Sequence, residues 1–98
     1  MDLVKRLGIT DRKEAERKLS EMGYGNFYLW RDEPNAFYDW HTHPYDEVRY
    51  VLEGEITIET ESGKYRLSAG DLMFVPAGTR HRAFVGEEGV LYLCASKL

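Results

Sequence analysis

The chain has 98 residues, 43% of them hydrophobic, and a net charge of −4. A chain this short makes one domain and buries only ~60–70% of its unfolded surface. Its acidic balance argues against nucleic acid or an anionic membrane surface as the main partner.

The longest apolar stretch, Val90 to Ala95, is far too short to span a bilayer, and no secretory signal pattern opens the chain. A cytoplasmic location is therefore the expectation. Cys94 is the sole cysteine, which excludes an internal disulfide; its apolar neighbours suit a buried thiol acting as a small hydrophobe.

In chain order, the first 25 residues read as a helical segment and residues 26–98 as a β-barrel. Met1 to Leu7 suggest a short helical turn. From Asp11 to Met22 the period is helical: Ala15, Leu19 and Met22 share one face, and Arg12, Lys13, Glu16 and Arg17 fill the other. Thr10 or Asp11 can cap this helix, with Glu14 in capping-box position after Asp11, and Gly23 can stop it. An amphipathic cover packed on a sheet is the expected role.

From Asn26 onward, short aromatic and β-branched runs alternate with turn signals. The predicted strands are Phe27–Arg31, Ala36–His41, Glu47–Leu52, Glu55–Glu61, Lys64–Leu67, Asp71–Val75, His81–Val85 and Val90–Ala95. Predicted turns carry Glu53–Gly54, Ser62–Gly63, Ala69–Gly70, Pro76–Ala77–Gly78 and the segment from Gly86 to Gly89. Many short strands at this spacing indicate an all-β sandwich or small barrel.

All 3 histidines of the chain fall into one ligand-like pattern: His41 and His43 a residue apart, Glu47 four further on, and His81 after a Pro-x-Gly turn. Two histidines at i and i+2 share a face on a strand, whereas a helix would separate them by most of a turn. Three imidazoles and one carboxylate suit one divalent transition metal: Fe, Mn, Ni, Co or Zn. On an octahedral ion, four protein ligands leave two positions for water, substrate or dioxygen.

The segment from His41 to Gly54 (H-T-H-P-Y-D-E-V-R-Y-V-L-E-G) and that from Gly70 to His81 (G-D-L-M-F-V-P-A-G-T-R-H) resemble the two motifs of the cupin superfamily. The resemblance implies a small double-stranded β-helix, the jelly-roll barrel, with metal ligands at His41, His43, Glu47 and His81. Asn35 stands where the first motif opens on glycine, and Val85 where the second closes on asparagine. The run E-V-R-Y-V-L-E-G also resembles acireductone dioxygenase, a cupin family that oxidises an enediol at Fe(II) or Ni(II). The arginine matching Arg49 helps to hold the substrate in that family, whose members are much longer than this chain.

Strand parity extends the site. With Glu47 inward, Arg49 and Val51 follow; from His41, Asp39 and Phe37 face inside; from His81, Ala83 and Val85 do. Arg49, Asp39 and Phe37 are thus the candidate substrate-binding residues. Arg49 suits a carboxylate, enolate or phosphate oxygen, unless it forms an internal ion pair with Asp39 or another acid. Arg80 and Arg82 read as solvated surface, while Tyr28, Trp30, Tyr38, Trp40, Tyr50 and Phe84 read as a core or interface set.

Three function classes follow, each with a small-molecule ligand as partner. They are a metal-dependent oxygenase on an enolic, thiol or aromatic substrate, a phosphosugar isomerase-like cupin, and a non-catalytic binding or sensing module. The isomerase reading asks for several cations in the lumen, and parity supplies only Arg49. By the same parity Val48, Tyr50, Leu52 and Phe84 point outward and suit a subunit contact, so a homodimer is expected. Light scattering at micromolar concentration checks this expectation, and a monomer there rejects it.

Overall fold

Two strands far longer than the sequence pattern indicated organise the chain. The structure, a computed structural model, describes residues 3–98. Its elements are β1 (Val4–Arg6), α1 (Arg12–Glu21), β2 (Tyr24–Asp32), β3 (Phe37–His41), β4 (Glu47–Thr60), β5 (Gly63–Ser68), β6 (Asp71–Val75) and β7 (His81–Lys97). Strand β4 absorbs the two predicted strands on either side of Glu53–Gly54, and β7 absorbs those on either side of Gly86–Gly89. Those segments are bulged corners rather than turns.

All strand pairs are antiparallel, and β4 and β7 pair along almost their whole length. The first half of β4 pairs with β6 and with the second half of β7, which β2 extends on the far side. The second half of β4 pairs with β5 and with the first half of β7, which β3 extends. One five-stranded and one four-stranded sheet therefore share two bent strands, as a jelly roll requires.

The bend lies where the β4–β7 register slips, between Val51 and Glu53 and again between Gly54 and Ile56. Gly54 has φ +74°, and a Cβ there would stand 2.1 Å from the Gly89 carbonyl oxygen. Glycine alone permits two backbones to approach so closely in that conformation.

Alternation then makes two cores. Val51, Ile56, Ile58, Met73, Val75, Val85 and Val90 pack between the sheets. Val48, Tyr50, Leu52, Leu72, Leu93 and Ala95 face the other way and pack under Ala15 and Leu19 of α1. Burying Leu19 stabilises this layer by about 2–3 kcal/mol. The parity read for β4 holds, but the outward residues Val48, Tyr50 and Leu52 are covered by the chain's own helix and leave no apolar face for a subunit contact. Of that set, Phe84 remains exposed.

Asp11 caps α1, its Oδ2 accepting from the Glu14 amide at 3.0 Å. Before it, the chain is held by Tyr50, whose hydroxyl donates to the Ile9 carbonyl (2.6 Å) and accepts from the Ile9 amide (3.1 Å). The helical turn expected over Met1 to Leu7 is replaced at 4–6 by β1, which pairs with β6; Met1 and Asp2 lie outside the described residues. Sheet pairing wins because three residues on a sheet edge gain ladder hydrogen bonds that an isolated helical turn cannot match. Among the described residues, no helix is long and apolar enough to cross a membrane.

The corner yields a stability prediction. Gly54→Ala forces a side chain into the Gly89 backbone at positive φ and should destabilise the fold by at least about 2 kcal/mol, read by chemical denaturation.

Candidate metal centre

His41 ends β3 and His81 opens β7, and the two are direct cross-strand partners. From Tyr38 to His41 the chain advances three residues while β7 advances two, so β3 carries a bulge. The bulge resets the alternation: Tyr38 and His41 both face the interior, and Phe37 turns out against Phe84, their ring centroids 5.1 Å apart. Phe37 is 51% exposed and lies outside the cavity. Its assignment to the lumen is thus corrected, because unbroken parity does not survive an extra residue.

His43 lies just past β3. Its carbonyl accepts from the Gly78 amide at 2.9 Å, while Asp46 Oδ1 accepts from the Ala77 amide at 2.8 Å. The loop after β3 is thereby tied to the Pro-x-Gly turn before β7, in which Gly78 takes φ +78°. The three imidazoles converge, with ring centroids 4.3 to 5.3 Å apart and one nitrogen from each within 4.8 Å of the others.

Hydrogen bonds aim the rings. His41 Nδ1 donates to the Asp39 carbonyl at 2.6 Å and His81 Nδ1 to the Thr79 carbonyl at 2.8 Å. This leaves each Nε2 as a lone-pair acceptor directed at the cluster. His43 Nε2, His81 Nε2 and Glu47 Oε1 are all buried without a hydrogen-bond partner. Two imidazole nitrogens left unpartnered in one cluster are costly in an apolar interior and are what a cation would satisfy.

Glu47 is 3% exposed but stands outside the three-imidazole group. Its Oε1 lies 3.0 Å from Arg49 Nη2, close enough for an ion pair but not aligned as a hydrogen bond. Burial alone would lower the Arg49 pKa, but the Glu47 carboxylate together with Tyr92, Cys94 and Tyr28 outweighs it and raises the value, so the guanidinium stays charged. Arg49 also rests 5.2 Å from the centroid of the Tyr92 ring. Its ion-pair partner is Glu47 rather than Asp39. The exposed Asp39 carboxylate accepts from the Trp40 amide while its residue lines the cavity mouth.

The cavity so formed measures about 400 Å³. Its walls comprise His41, His43, His81, Arg49 and Asp39, the apolar Ile56, Ile58 and Ala83, and also Tyr28, Trp30, Tyr38, Tyr92 and Cys94.

A family profile described as "Cupin domain" matches residues 28–96. The chain belongs to the cupin family. Similar proteins include an acireductone dioxygenase of Tuber melanosporum, 36% identical over 76 residues, which span 72% of this cupin and 43% of that protein. The "Acetate kinase EutQ" of Salmonella typhimurium is 41% identical over 73 residues, 74% of this cupin and 29% of that protein. This cupin therefore matches less than half the length of either. Among solved structures, a DUF861 family protein of Thermotoga maritima superposes with a TM-score of 0.66 at 27% identity, covering 93% of each chain.

Membership makes sense of one departure from the motif. Asn35, in place of glycine, has φ +62°, a conformation asparagine tolerates better than most side chains. Sequence reasoning missed Tyr28, Trp30, Tyr38 and Tyr92 as cavity residues. Alternation from Cys94 through Tyr92 would have marked the last, but nothing local placed β2 beside the cavity. Arg80 and Arg82, read as solvated, stack on Trp40 at 4.5 and 4.8 Å, and Arg82 Nη2 also pairs with Glu59 at 2.9 Å.

Burial pushes the His43 and His81 pKa values below the ordinary imidazole range. Both rings should be more than half neutral at pH 6.5 in metal-free protein, as read from ring ¹⁵N shifts. Unfolded imidazoles take up protons that the buried ones refuse, so metal-free stability should decline as pH falls below ~7. Flat stability between pH 7 and 5 would contradict this.

Proposed function

We propose that this cupin is a metal-dependent oxygenase acting on a small enolic, thiol or aromatic substrate. His41, His43 and His81 would hold one divalent transition metal, with Glu47 as fourth ligand. The observation that carries the reading is the convergence of His41, His43 and His81 on one cavity, with His43 Nε2 and His81 Nε2 buried and without a hydrogen-bond partner. An imidazole-rich set with one carboxylate fits Fe, Mn, Ni, Co or Zn better than Mg or Ca. Such a metal supplies Lewis acidity and, where it is redox-active, access to dioxygen.

The protein's own part is to orient and to exclude. The Asp39 and Thr79 carbonyls fix two of the imidazoles, so little rearrangement opposes binding. Arg49 is the one cationic side chain among the cavity's described residues, and it stands beside Glu47. It is placed to take an anionic substrate oxygen next to the metal, in a site dry enough to strengthen that contact. Ile56, Ile58 and Ala83 keep water from the substrate's apolar part. The likeness to acireductone dioxygenases supports this chemistry, while the short aligned length leaves the substrate itself to experiment.

The test is elemental analysis of protein purified without an affinity tag, then oxygen uptake by an Fe(II)-loaded sample against enediols and thiols. Stoichiometric iron, nickel or manganese with substrate-dependent uptake is expected. Stoichiometric zinc without uptake points to a binding or isomerase role, and failure to load any metal sinks the reading. His81→Ala should lose the metal and keep its β-sheet circular dichroism. Arg49→Leu should keep the metal and weaken anion binding at least about thirtyfold.

A further inference from the structure

Asp32 closes β2 at 8% exposure. Its carboxylate collects donors from three strands. Oδ1 accepts from Trp30 Nε1 at 2.8 Å and from the Tyr38 hydroxyl, and Oδ2 accepts from the Tyr92 hydroxyl at 3.2 Å. All three rings line the cavity, yet Asp32 itself does not. The fourth aromatic wall residue, Tyr28, is half exposed. The N–H and O–H donors of Trp30, Tyr38 and Tyr92 are thus all given to Asp32.

We infer that Asp32 is a specificity-determining positioning residue: it draws the polar atoms of Trp30, Tyr38 and Tyr92 to itself and leaves their ring surfaces as an apolar berth. The cavity accordingly takes a small anion with an apolar body and rejects one whose body carries a hydroxyl. A carboxylate accepts and never donates, so it holds all three donors in one sense. A ligand hydroxyl entering beside Ile56, Ile58 and these rings meets no free donor among Trp30, Tyr38 and Tyr92 and forfeits bonds to water. That loss weakens binding by roughly tenfold to a hundredfold.

Asp32 also couples the two ends of the ligand. The Tyr92 ring it anchors is the one on which the Arg49 guanidinium rests. The anion end rests on the reading proposed above; the apolar end does not require the metal.

Calorimetric titration of zinc-loaded and metal-free protein with acetate, 3-phenylpropionate and 3-(4-hydroxyphenyl)propionate tests this. Wild type should prefer phenylpropionate over its hydroxylated analogue by about tenfold or more. In Asp32→Asn, whose amide turns a donor toward one of the three groups, the preference should collapse to near unity, with acetate affinity kept within about twofold. Tyr38→Phe should retain the preference, because that hydroxyl faces Asp32 and not the ligand.

Equal weakening of all three probes in Asp32→Asn makes the residue merely structural and overturns the inference. So does a lost preference in Tyr38→Phe, which decides the matter if Asp32→Asn fails to fold. Wild type that shows no preference, or fails to bind phenylpropionate in either form, overturns it as well. Failure to load zinc instead counts against the metal reading, and the preference measured on metal-free protein still decides this one.

Discussion

The contact between the Gly54 and Gly89 backbones is the constraint on which the rest depends. Two strands can serve two sheets only if they bend together, and bending brings their main chains closer than any Cβ allows. Once the corner forms, the halves of β4 and β7 splay apart and a space opens between the sheets. The histidines come from the rim of that space and Arg49 from its wall. Without the corner, β4 and β7 would lie as one flat ribbon with no interior.

What was legible in the sequence divides along the same line. The meeting of His41 with His43 was legible because it is local: His41 ends β3 and His43 lies two residues on, while Glu47, expected beside them, stands outside the cluster. Parity in β4 was legible because both of its faces are buried, so Glu47, Arg49 and Val51 on one side and Val48, Tyr50 and Leu52 on the other keep strict alternation. Parity in β3 failed at a single extra residue between Tyr38 and His41, which exchanged Phe37 for Tyr38 in the cavity. Glycine-containing segments at Glu53–Gly54 and Gly86–Gly89 carry the composition of turns. Only long-range pairing shows them to be bulges within continuous strands.

Asp32 illustrates a different blindness. Beside Glu33 and Pro34 it reads as a polar residue entering a loop. Its partners lie 6 and 60 residues further along the chain, and nothing short of the folded register brings Tyr38 and Tyr92 to it. The covering of Val48, Tyr50 and Leu52 was hidden in the same way. Apolar parity shows that a face must be covered but does not say whether a helix or a second subunit does it.

The pairing of Glu47 with Arg49 has a consequence for cation choice. The Arg49 guanidinium cancels the formal charge of the Glu47 carboxylate beside it, so an ion arriving at the cluster is not drawn in by that carboxylate's charge. Calcium and magnesium, which depend on several uncompensated oxygen anions, gain little there. Ions that form strong directional bonds to imidazole nitrogen gain most of what the site offers. The arginine would thereby filter any metal the site takes, by cancelling the one charge that would make it indiscriminate.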